Sequence, residues 1–146
     1  MRRFAAAVAL VMALATLRGI PTIHADSPFK VIVHPSVKGS QIARATLGSV
    51  FLKQLPRWGD GALVKPVDQS MRSSIRLSFA SKVLQRPLPE LQFYWSRKVH
   101  AGVAPPPVKQ TDEEVTAFVE STSGAIGYVS ATHVLPDSVR ELVVVD

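Results

Sequence analysis

Cysteine is absent from the 146 residues, which excludes disulfides, thiolate metal sites, a cysteine nucleophile and a lipidated N-terminal cysteine. Internal repeats and low-complexity tracts are missing as well. No G-x-S-x-G, H-E-x-x-H, P-loop or dinucleotide glycine fingerprint occurs, so the common hydrolase, protease and nucleotide-binding motifs are lacking. Acidic residues do not occur in the first 25 positions, where Arg2, Arg3 and Arg18 lie. Those three arginines supply half of the formal net charge of +6. Beyond them no run of Lys or Arg remains, and a nucleic-acid footprint is not supported. The length is that of one domain, large enough to bury a core without staples.

What the N-terminus does contain is an ordered address. Met1-Arg2-Arg3 is a short cationic start, Phe4 to Leu17 is apolar except for Thr16, and Arg18 ends the run. Pro21 and then Ile23-His24-Ala25 follow, with a small residue at the end. This is the order of a secretory signal peptide, and the run is short of the ~20 apolar residues that span a bilayer. Residues 1–25 are therefore expected to be a cleaved signal, and 26–146 the mature domain in a bacterial periplasm, starting at Asp26.

Along the mature chain, hydrophobic periodicity switches between two and 3.6. Strands are expected near residues 30–34, 62–67, 124–129 and 139–145, and helices near 42–53, 71–84, 89–99 and 112–121. Pro89 suits the first turn of its helix, and Thr111-Asp-Glu-Glu114 is a capping box. The three consecutive prolines within Ala101–Lys109 require an extended loop. Strands alternating with helices indicate an α/β domain with a mixed sheet.

No catalytic constellation emerges, and the chain is expected not to be an enzyme. His34, His100 and His133 are far apart with no ligand-like spacing, so neither a metal nor a cofactor is expected. The acids Asp112, Glu113 and Glu114 fit helix capping better than cation binding. Trp58, Phe93, Tyr94 and Trp95 fit core packing with a partly covered edge better than a ligand platform. The segment with a binding mechanism is Asp68-Gln69-Ser70-Met71-Arg72-Ser73-Ser74-Ile75, which joins a strand to an amphipathic helix. Helix-start N–H groups and the positive end of the dipole favour an anion there. Serine hydroxyls donate to its oxygens, and Arg72 or Arg76 supplies charge. The bland alternative is that serine merely caps the helix.

Lys30-Val-Ile-Val-His-Pro-Ser36, Val50-Phe-Leu-Lys53, Trp58-Gly-Asp-Gly61, Val64-Lys-Pro-Val-Asp68, the Ser73-x5-Phe79 spacing and Gly124-Ala-Ile-Gly-Tyr-Val129 occur in one order. Together they resemble the substrate-binding proteins of phosphate ABC transporters, over about residues 28 to 146. The resemblance implies one three-layer lobe of a type 2 periplasmic-binding-protein fold, the second of the two lobes that close around the anion. It also implies phosphate or a similar oxyanion as ligand, and an ABC transporter as partner. The second-lobe motif of that family is an Arg, three residues, then Ser-Gly-Thr. Ser73 stands at the Ser position, while Ser74, Ile75 and Gln69 replace the Gly, Thr and Arg. The resulting expectation is an exported anion-binding module for uptake or sensing, with Ser73, Ser74, Gln69 and Arg72 at the site. The rival expectation is an interaction module that has lost its ligand and binds another exported protein or a second copy of itself, because a bare lobe exposes the face that normally meets its partner.

Overall fold

The computed structural model describes residues 27–146. The signal-peptide expectation falls on residues 1–25, which lie outside the described residues. A five-stranded mixed sheet is built from β1 (Phe29–Val33), β2 (Gln41–Ala43), β3 (Lys65–Pro66), β6 (Ala125–Ser130) and β7 (Arg140–Val145). Their order across the sheet is β2-β7-β1-β6-β3. β1 runs antiparallel to both neighbours, with Val31 opposite Tyr128 on one side and Leu142 on the other. β2 and β3 are parallel edge strands against β7 and β6.

β1 and β6 are apolar but for Lys30 and Ser130, because both faces of the sheet are covered there. Alternate residues of a strand point to opposite faces. Phe29, Val31 and Val33 of β1 join Ile126 and Tyr128 of β6 in one cluster, with Leu47, Val50 and Phe51 of α1 (Arg44–Phe51) and Phe79 of α2 (Ser74–Phe79). Ile32, Ala125 and Val129 face the other way, onto Val115 and Val119 of α4 (Asp112–Ser121). The result is a helix–sheet–helix lobe. Phe79 and Tyr128 stack at 3.9 Å between centroids, and Phe51 meets Phe79 edge-on at 4.7 Å. Each such buried ring contributes ~2–3 kcal/mol of apolar burial. Gly127 lets the second layer approach the sheet. A Cβ there would lie 2.8 Å from methyl carbons of both Val115 and Val67. Among the described residues, no helix is long and apolar enough to cross a membrane.

Several boundaries differ from the expectation. The helix expected over 42–53 begins at Arg44, because Ile42 is drawn into β2 and buried beside β7. It ends at Phe51, and Lys53 turns the chain with φ 55°. Of the strand expected over 62–67, Lys65–Pro66 pairs with β6, and Pro66 occupies an edge strand, where its missing N–H costs no ladder bond. The chain then leaves the sheet as β4 (Asp68–Gln69), which pairs with β5 (Val108–Lys109) at the end of the proline-rich loop. The helix expected from Met71 starts at Ser74. It continues past Phe79 as a π-helical turn (Ala80–Leu84), closed by a 2.8 Å bond from the Gln85 amide to the Ala80 carbonyl. α3 (Leu88–His100) carries Pro89 in its first turn. Thr111 caps α4, accepting from the Glu114 amide at 3.1 Å, while Glu114 reaches back to the Gln110 amide at 2.8 Å.

Candidate functional site

β3 and β4 deliver the Asp68–Ile75 segment to the start of α2. Ser73 is the N-cap: its hydroxyl accepts from the Arg76 amide at 3.3 Å and donates to Gln69 Oε1 at 2.7 Å. Gln69 is buried, and its amide nitrogen donates to the Tyr128 carbonyl at 2.8 Å and to Asp112 Oδ1 at 3.0 Å. Asp112 Oδ2 in turn accepts from the Ser130 amide at 3.2 Å. Gln69 therefore ties β4 to β6 and to the first turn of α4, and its polar atoms point into the lobe. Ser74 and Arg72 are exposed on the outside of the same turn. The Arg72 amide donates to Ser70 Oγ at 3.3 Å. Ser73 and Gln69 are thus brought into direct contact, with Ser74 and Arg72 at the surface beside them.

Asp68 and Arg76, both placed by the sequence at the anion-binding segment, join Tyr128 as the buried centre of this corner, so Arg76 is paired with Asp68 and turned away from the surface. The Arg76 side chain is 6% exposed, and its Nε lies 3.0 Å from Asp68 Oδ1. That contact is an ion pair without hydrogen-bond alignment, and neither Nε nor Nη1 of Arg76 has a hydrogen-bond partner. Asp68 Oδ1 also accepts from the Tyr128 hydroxyl and, at 2.9 Å, from the Gln69 amide. The sequence does carry a signal for Arg76. It falls on the same helical stripe as Phe79, Ala80 and Val83, where a charged residue needs a buried partner.

Burial, and then the negative charge of Asp68, push the Tyr128 hydroxyl far above the ordinary tyrosine range. Its folded-state pKa thus exceeds the unfolded one, so its stabilising contribution is complete below ~10 and declines as pH rises beyond it. Urea unfolding at about pH 9 and about pH 11 is expected to show a loss of stability in the native chain that Tyr128→Phe lacks. Equal losses in both would mean that Tyr128 does not carry the alkaline sensitivity.

The other polar clusters are small. His34 Nδ1 lies 2.8 Å from Ser36 Oγ, and His133 Nε2 lies 3.1 Å from Thr116 Oγ1. Among the described residues, no group of three or more His, Asp or Glu side chains is placed to hold a metal ion.

The mixed sheet between helical layers, with a strand leading through a serine-rich turn into a helix, matches in fold a single lobe of a periplasmic-binding protein. The chain is structurally similar to the substrate-binding proteins of phosphate ABC transporters. One such protein from Clostridium perfringens, solved with bound phosphate, superposes with a TM-score of 0.64 at 17% identity over 80% of this chain and 44% of its own. An ABC-type phosphate transport receptor from Vibrio cholerae gives 0.63 at 17% identity, over 80% of this chain and 46% of its own. PstS from Borrelia burgdorferi gives 0.63 at 15% identity, over 80% and 47%. The chain spans less than half the length of the solved structures it matches. No protein-family model and no curated protein matches it.

Proposed function

We propose that the chain is an exported, non-enzymatic module that binds phosphate or a similar oxyanion, in connection with ABC-transporter uptake or with sensing. The observation that carries this reading is the capped turn at Ser73 on a lobe of the phosphate-binding architecture. The anion sits against the first-turn amides of α2, with the exposed Ser74 hydroxyl as donor and Arg72 alongside as charge. Ser73 is held in place by Gln69 and fixes the helix start. An uncharged amide thus stands where the phosphate family carries an arginine, and residues 26–146 contact the anion from one side. Affinity is therefore expected in the millimolar range, about −4 kcal/mol.

Titration calorimetry of residues 26–146 with phosphate and with sulfate tests the reading. Heat with phosphate, at an affinity that Ser74→Ala weakens at least about tenfold, is the expected result, as for loss of one hydrogen bond to a charged group. A folded protein that gives no heat at millimolar anion overturns ligand binding and leaves an interaction module on the same lobe.

A further inference from the structure

α3 is covered unlike the rest of the lobe. Of its residues Leu88–His100, Leu91 alone is buried, and Phe93 is 66% exposed. Leu88 and Tyr94 rest against the core, and the Tyr94 hydroxyl donates to the Leu52 carbonyl at 2.7 Å, so the helix is anchored along one edge. Beside that edge runs a groove of about 450 Å³ lined by Arg86, Pro89, Glu90, Phe93, Tyr94 and Arg97. The Arg86 guanidinium lies 5.6 Å from the Tyr94 ring centroid, and that of Arg97 lies 5.9 Å from the Phe93 centroid. Lys98 adds a third cation, 5.5 Å from Tyr94. Among the described residues, no carboxylate lies within ion-pair distance of Arg86 or Arg97.

Basic residues in a last helical turn are ordinary compensation of the helix dipole, which accounts for Lys98 and Arg97. It does not account for Arg86, which precedes the helix, or for an exposed phenylalanine between the two arginines. Arg97 folds back one turn over Phe93, and Arg86 reaches forward over Tyr94. The two guanidiniums thus converge on the groove from opposite ends. A guanidinium stacked on a ring keeps its N–H edge free, and that edge pairs with carboxylates in a planar, two-point fashion. An exposed aromatic floor between such edges combines an apolar anchor point with charge at both ends, the composition of an interface centre.

We infer that the α3 groove is a docking surface for an acidic polypeptide segment of a partner protein. An apolar side chain of that segment seats on Phe93, Tyr94 and Pro89, and flanking carboxylates pair with Arg86 and Arg97. Charge complementarity selects this occupant. The groove offers two unpaired guanidiniums against the single carboxylate of Glu90, and their planar edges match the two-point geometry of side-chain carboxylates on a polypeptide. The surface is independent of the proposed anion site, because none of its residues belongs to the Asp68–Arg76 corner.

The probe is a fluorescein-labelled acidic peptide with one central phenylalanine, compared by anisotropy with the same peptide in which each acid is replaced by its amide. At low salt the acidic peptide is expected to bind at least about tenfold more tightly, and Arg86→Ala with Arg97→Ala to remove that preference. Phe93→Ala weakens both peptides about tenfold, as a central aromatic anchor does. Ser74→Ala leaves peptide binding unchanged, which separates this surface from the anion site. Equal binding of the two peptides, or unchanged binding in the double arginine variant, overturns the proposal. So does sedimentation with anionic phosphatidylglycerol vesicles, sensitive to Phe93→Ala, without any binding of the acidic peptide.

Discussion

Arg76→Met is expected to lower the unfolding free energy by about 3 kcal/mol in urea denaturation, although it removes no catalytic or surface group. The loss arises from what is left behind. Asp68 is 15% exposed and sits between the Tyr128 hydroxyl and the Gln69 amide, and without Arg76 its charge has no counter-ion. The two hydrogen bonds to Asp68 stay intact, which holds the cost near the low end of the range for a broken buried pair. Arg76→Met combined with Asp68→Asn is therefore expected to recover most of the stability, because the buried charge goes while an acceptor oxygen for Tyr128 remains. Replacing a whole buried ion pair by uncharged groups is often neutral or stabilising. A single variant as stable as the native chain would show that the pair is energetically silent. A double variant no better than the single would show that arginine packing, not charge, is what the corner needs.

Gly124→Ala carries two separate penalties. Gly124 has φ +80°, a left-handed backbone that costs a residue with a Cβ ~1–2 kcal/mol. A Cβ at this position would also lie 2.2 Å from the Leu63 carbonyl oxygen, a backbone atom that cannot rotate away. The surroundings are pinned as well. The Gly124 carbonyl accepts from Trp58 Nε1 at 3.0 Å and from the Lys65 amide at 3.1 Å, and its own amide donates to Ser36 Oγ at 3.0 Å. Relieving the overlap therefore disturbs the entry to β3 and the start of β6 together. The expected cost is at least about 3 kcal/mol, seen as a fall in Tm of more than about 10 °C. Gly59→Ala is the internal control. A Cβ at Gly59 meets nothing within 4 Å, and a change within ~0.5 kcal/mol is expected there. Similar Tm values for the two variants would mean that the Leu63–Gly124 approach relaxes freely.

Elements with strong local signals were legible before the structure was known. β1, β6 and the Leu142–Val145 half of β7 are largely apolar runs bounded by proline, glycine or polar residues, and Thr111 with Glu114 marks the start of α4. Elements defined by distant partners were not. β2 is three residues long and exists through its pairing with β7, while β4 and β5 are two-residue strands that hold each other. The π-helical end of α2 depends on where Gln85 turns the chain, at φ 53°. At the candidate site, the serine-rich turn and its cap were visible as a pattern. The inward turn of Gln69 was not, since it depends on Asp112 and on the Tyr128 carbonyl, both brought in by the sheet and α4. Asp68, Arg76 and Tyr128 are separated in sequence and meet only in the folded lobe.

Among the described residues β7 comes after every other strand, yet it lies between β1 and β2 rather than at an edge. Until residues 140–145 have been synthesised, β1 has one unpaired side and β2 has no sheet to join. Emergence from the ribosome therefore precedes closure of the lobe, whatever local helices form on the way. Val31 pairs with Leu142 and Ile42 with Val144, so both pairings of β7 close loops of about 100 residues, the kind of non-local contact that forms slowly. The same arrangement makes closure of the lobe a late event, in which one strand locks both halves of the sheet.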